Sequence, residues 1–177
     1  MLLDLTRLHG AREHVERTLA PSAFDPQDEA YRVAAPVELT MDVAKAGADG
    51  FHVTGRVRTT LELECSRCLE AFAIPLEASF ELRYLPQEAN AGEGEREIAE
   101  EDLATAYYRE GAIDIVEMLR EQFHLAVPMK PLHDEACRGL CPECGADLNR
   151  ADCGHAAAWK DPRLSPLEGL LNRSKEN

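Results

Sequence analysis

The sequence predicts an α+β fold: an antiparallel β meander over residues 35–85 packed with one helix over 114–127, and a small C-terminal zinc-knuckle module. Three observations predict it. Apolar and polar residues alternate through three successive runs, the period-two pattern of half-buried strands. A later segment switches to helical spacing behind a capping pattern. Two Cys-x-x-Cys pairs, Cys65-Ser66-Arg67-Cys68 and Cys141-Pro142-Glu143-Cys144, have the spacing of metal knuckles.

Taken in order, Ala11 to Leu19 reads as a short helix with Val15 and Leu19 on one face, stopped by Pro21. Residues 21–32 read as a connecting loop. Val37, Leu39, Met41 and Val43 then alternate with polar residues, up to a turn signal at Ala46-Gly47-Ala48-Asp49-Gly50. Val53, Val57, Thr59, Leu61 and Leu63 share one parity; Thr54, Arg56, Arg58, Thr60, Glu62 and Glu64 share the other. In the third run Phe72, Ile74, Leu76, Ala78, Phe80, Leu82 and Tyr84 lie on one face. Cys65 and Cys68 therefore fall on the turn between the second and third strands, where a tight bend can point two thiolates the same way.

Residues 87–102 carry six glutamates and Asp102 against Arg96 alone, which reads as a solvated acidic loop. Asp114 with Glu117 three residues on is a capping-box pattern. Ile115, Val116, Leu119, Phe123 and Val127 form the apolar stripe behind it, ended by Pro128 and Pro131. The stripe reads as core. A second helix start stands at Ser165-Pro166-Leu167-Glu168, followed by Leu170 and Leu171. Trp159, the single tryptophan, reads as packing against the zinc module. The chain divides into a sheet domain over 1–131, with its acidic loop at 87–102, and a cysteine-rich zinc module with a C-terminal helix over 132–177.

The 177 residues are enough for one core plus an appendage, and 45% of them are hydrophobic. Met1-Leu2-Leu3-Asp4 opens with an early charge and no apolar signal region, and no window has the length of a membrane span. A cytoplasmic location is expected, and there clustered cysteines favour metal over structural disulfides. A formal net charge of −14 excludes a protein that coats nucleic acid by charge alone. It suits a basic partner, or simple solubility.

The six cysteines with His133 and His155 make eight candidate ligands, the number that two tetrahedral sites require. The preferred pairing places Cys141, Cys144, Cys153 and His155 on one zinc, with Gly145 supplying the positive φ of the turn. Cys65, Cys68, His133 and Cys137 form the second site, which would staple the sheet hairpin to the segment after the helix. Two rivals stay open: a single site of Cys137, Cys141, Cys144 and Cys153, or a direct pairing of the two Cys-x-x-Cys motifs. Closed four-ligand sites are structural, so no catalytic residue is expected. His9, His14, His52 and His124 have no clustered partner in the sequence and read as ordinary histidines.

The chain resembles the YceD-like family, named for accumulation of large-subunit ribosomal RNA. The resemblance rests on Leu63-Glu64-Cys65-Ser66-Arg67-Cys68-Leu69-Glu70, Ile113-Asp114-Ile115, Pro128-Met129-Lys130-Pro131-Leu132, the run from Gly139 to Asn149, and Asp161-Pro162-Arg163-Leu164. It covers residues 30–171. It implies a bacterial, non-enzymatic factor needed for normal levels of large-subunit rRNA, from genes that often neighbour one for a large-subunit ribosomal protein. The chain departs from the commonest pattern at His133 and His155, where cysteine is often found; both changes keep a zinc ligand.

Three functions are weighed. The first is a ribosome biogenesis factor that binds large-subunit precursor through rRNA, a basic ribosomal protein, or both. Its candidate contacts are Arg67 on the knuckle, with Arg138 and Arg150 flanking the distal cluster, whereas Arg56 and Arg58 read as partners of neighbouring glutamates. The second is a zinc-ribbon interaction module or chaperone for a basic ribosomal protein, without RNA contact. The third is a thiol-redox protein using Cys65 and Cys68. A redox pair usually sits at a helix N-terminus, and this one falls between strands. No membrane and no small-molecule substrate are expected.

Overall fold

Alternation of the kind found at 37–84 buries one side chain in two, and the sheet it builds organises the first of two units. The computed structural model describes residues 1–8, 10–24, 30–89 and 103–155. One unit holds residues 1–65 and 70–133; the other holds 66–69 and continues from 134.

In the first unit the strands are β1 (Leu2–Asp4), β2 (Arg12–Leu19), β3 (Tyr31–Val33), β4 (Val37–Ala46), β5 (Gly50–Glu64), β6 (Ala71–Pro86), β7 (Thr105–Tyr108) and β8 (Ala112–Asp114); α1 is Ile115–Ala126. The main sheet runs β2-β4-β5-β6-β7, with β3 also paired to β5, while β1 pairs with β8 in a small ribbon. Every pairing is antiparallel except β6 with β7. The meander β4-β5-β6 is in register from Ala46↔Gly50 to Glu64↔Ala71, so the turn at 47–49 and the knuckle at 65–70 close its two ends.

The buried parity carries Val37, Leu39, Met41 and Val43 on β4, Val53, Val57, Leu61 and Leu63 on β5, and Leu76, Phe80 and Tyr84 on β6. The helix adds Ile115, Met118, Leu119 and Phe123 to the same core. Phe123 meets the rings of Phe24 and Tyr31 at centroid distances of 5.5 and 5.9 Å. Asp114 caps α1: its Oδ1 accepts from the Val116 N–H at 2.9 Å and the Glu117 N–H at 3.4 Å. Among the described residues no helix is long and apolar enough to cross a membrane.

Gly55 marks a tight row of the sheet, Met41–Gly55–Phe80. A Cβ there would lie 2.6 Å from the Phe80 ring and 2.8 Å from the Thr40 carbonyl oxygen. Gly55→Ala is therefore expected to destabilise the unit by about 1–3 kcal/mol, read as a lower urea midpoint.

Two departures from the sequence reading are informative. Residues 12–19 are strand β2, not a helix, and the strand Tyr31–Val33 begins within the loop expected over 21–32. Val15 and Leu19 are four apart, a spacing that satisfies a helical face and a period of two equally. The long free edge of β4 decides it, pairing Val15 with Met41 and Leu19 with Val37. The acidic stretch 90–102, Trp159 and the helix start at Ser165 lie outside the described residues.

Candidate metal centres

Each Cys-x-x-Cys pair sits on a tight turn closed by the same backbone hydrogen bond. At the end of the meander the Cys65 N–H donates to the Glu70 carbonyl at 2.9 Å. In the cysteine-rich unit the Cys141 N–H donates to the Ala146 carbonyl at 2.8 Å, and the Gly145 N–H returns to the Cys141 carbonyl at 2.8 Å. A bridge between Leu140 and Asp147 extends this second turn into a small hairpin.

The residue after the second cysteine is left-handed in both turns: Leu69 at φ 62° and Gly145 at φ 72°. Glycine adopts that backbone freely, whereas leucine does not, and Leu69 is 61% exposed with little packing to offset the strain. Leu69→Gly is expected to raise stability by about 1 kcal/mol, measured as a higher denaturation midpoint.

The eight candidate ligands lie in two groups of four. Cys141, Cys144, Cys153 and His155 form one, and Cys65, Cys68, His133 and Cys137 form the other; within each, one ligand atom per residue lies within 4.8 Å of the rest. A tetrahedral zinc with Zn–S bonds of about 2.3 Å has ligand-to-ligand edges of about 3.8 Å. Cys141 Sγ and His155 Nδ1 stand 3.8 Å apart. Both donor sets, three sulfurs and one imidazole nitrogen, are ordinary zinc sets, so the residues present fit that metal. The backbone N–H groups of Cys144 and Glu143 point at Cys141 and pull its thiol down to about 6, towards the thiolate that binds metal. Cys65, Cys68 and Cys137 are buried, while Cys144 and His155 are exposed. The His133 ring meets Phe72 edge-on at 6.4 Å.

A residue the sequence reading missed holds the cysteine-rich unit together. Asn149 Nδ2 donates to Cys137 Sγ at 3.4 Å and to Asp147 Oδ1 at 2.8 Å, while its Oδ1 accepts the Arg138 N–H at 2.7 Å. With a metal bound it would be an outer partner of a candidate ligand thiolate. Nothing in local spacing signals this, because Cys137 lies twelve positions earlier. Asn149→Ala is expected to weaken zinc binding by about 10–100-fold in a competition titration with a chelating dye.

The arginines proposed as partner contacts have distinct settings. Arg67 Nη1 donates to the Glu135 and Cys137 carbonyls at 2.9 and 2.8 Å, bracing the 66–69 turn against 135–137. Gly139 lies under it: at φ 74°, a Cβ would meet the Arg67 carbonyl oxygen at 2.9 Å. Arg150 pairs with Asp147 at 3.2 Å, and Arg138 is exposed. Arg56 and Arg58 both reach Glu77, at 3.5 and 3.0 Å.

A family model described as large ribosomal RNA subunit accumulation protein YceD matches residues 53–171. Among curated proteins, the chain is 28% identical over 167 residues to "Large ribosomal RNA subunit accumulation protein YCED homolog 1, chloroplastic" of Arabidopsis thaliana, covering 82% of this chain and 52% of the relative. The protein of the same name in Zea mays is 28% identical over 158 residues, 77% of this chain and 54% of the relative. The chain thus spans about half the length of these plant relatives. An uncharacterised protein of Mycobacterium tuberculosis is 28% identical over 175 residues, 97% of this chain and 81% of the relative. No solved structure matches.

Proposed function

The chain belongs to the YceD family, and from that premise we propose that it is a non-catalytic ribosome biogenesis factor that promotes accumulation of large-subunit rRNA. Two structural zinc ions hold its knuckles, and it acts in the cytoplasm on large-subunit precursor by binding rRNA, a basic ribosomal protein, or both. The names of the plant relatives support the ribosomal role. What supports a non-catalytic one is the donor sets. Each group supplies four side-chain ligands, which fills a tetrahedral zinc and leaves no position for a reacting water.

The second reading, a chaperone for one basic ribosomal protein without RNA contact, is favoured by two observations. The chain carries a formal charge of −14. Arg67, the leading candidate for an RNA contact, has Nη1 engaged by two backbone carbonyls. Thiol-redox use of Cys65 and Cys68 is the weakest reading, because the pair lies on a β-turn and not at a helix N-terminus.

Depletion of the protein in its own host tests the proposal. The ratio of large- to small-subunit rRNA is expected to fall and to recover when the wild-type chain is restored. An unchanged ratio on full depletion would remove the ribosomal reading.

A further inference from the structure

A cleft of about 780 Å³ opens in the sheet unit where α1 lies beside β7 and β8. Tyr84 and Met118 line its apolar part, and Glu117 and Glu121 stand one helical turn apart along one wall. Glu110 and Asp114 add two more carboxylates, of which Asp114 is already paired with the N-terminal ammonium at 3.2 Å. The lining includes one arginine, Arg109, whose Nε donates to Gln87 Oε1 at 3.4 Å.

Tyr84 is the informative member. Its side chain is only 5% exposed and it lines the cleft, where its phenol O–H can meet a ligand. Burial, with Glu121 and Glu117 nearby, pushes that phenol well above its ordinary range, so it remains a donor and acceptor. Burial, and after it the neighbouring Glu117 carboxylate, raise the Glu121 carboxyl.

We propose that this cleft is the docking groove for a lysine- or arginine-rich peptide segment, with Glu117 and Glu121 taking the cationic groups and Tyr84 supplying a hydrogen bond at its base. A cation between the two glutamates relieves their repulsion, and the alkyl stem of a lysine or arginine suits the apolar part beside Tyr84 and Met118. A phosphate backbone meets four carboxylates here, so RNA is the disfavoured occupant. The chemistry of the occupant is read from the cleft; that the segment belongs to a ribosomal protein rests on the function proposed above.

The test uses the full chain and a short fluorescein-labelled peptide of lysine, arginine and serine, followed by fluorescence anisotropy. Glu117→Gln with Glu121→Gln is expected to weaken binding about tenfold, the sum of two modest ion pairs. Glu13→Gln with Glu16→Gln makes the same change in net charge on β2, at the opposite edge of the sheet, and is expected to shift affinity less than twofold. Tyr84→Phe keeps the ring and the fold and is expected to cost about threefold. Equal losses in the two double variants would mean that net charge alone binds the peptide and would overturn the proposal. So would wild-type protein that binds a labelled single-stranded RNA through the same glutamates, or that fails to bind the peptide at moderate salt. A cleft-dependent peptide complex alongside unchanged rRNA on depletion would keep the groove and remove the ribosomal reading; the reverse pair of results would do the opposite.

Discussion

Replacing Cys141 with serine is expected to remove one of two zinc ions from the purified chain and to unfold the distal hairpin. A structural zinc contributes on the order of 10 kcal/mol to a small module, far more than the few backbone hydrogen bonds and the Asn149 contacts that the hairpin has besides. Cys141 is the member on which the most depends. It is buried, its backbone N–H closes the turn, and backbone amides of Glu143 and Cys144 converge on its sulfur. The loss should be local. The apolar core of the sheet unit is built from residues 5–123, none of them in the cysteine-rich unit, so its strand signal in circular dichroism should persist. The measurement is zinc per chain by elemental mass spectrometry. Wild type should give about two and Cys141→Ser about one. Wild-type protein that is folded and free of zinc would overturn the assignment and would reopen the redox reading of Cys65 and Cys68.

The second large effect belongs to the core. Phe123→Ala should cost about 3–5 kcal/mol, a sizeable part of the roughly 5–15 kcal/mol that holds a domain together. Phe123 is fully buried and meets Phe24 and Tyr31, so its removal opens a cavity that the strands cannot collapse into. Urea denaturation should show the sheet unit unfolding at a much lower midpoint. A change below about 1 kcal/mol would mean that the helix does not close this core.

The meander was legible in the sequence because β4, β5 and β6 each repeat the alternation over ten or more residues. The helix was legible from Asp114 and the stripe through Phe123. Strand β2 was not, since Val15 and Leu19 fit both periods and only pairing with β4 separates them. Strands β1, β7 and β8 span four residues or fewer, too short for any period to register. The two groups of four candidate ligands could be named from residue type and spacing. Their surroundings could not: Asn149 acts on Cys137, and Arg67 turns to carbonyls about seventy positions on. The cleft was equally hidden, because Tyr84 and Glu121 come from different elements, and separately each reads as an ordinary strand or helix residue.

Affinity capture of the tagged chain from a native lysate, split into samples with and without RNase, tests the functional account most directly. Large-subunit rRNA or a basic large-subunit ribosomal protein is expected to be enriched over small-subunit components. Loss of the captured partners on RNase treatment would assign the contact to RNA, and a basic protein that stays bound would assign it to protein. Equal recovery of both subunits' components, or of neither, would contradict a role in large-subunit assembly.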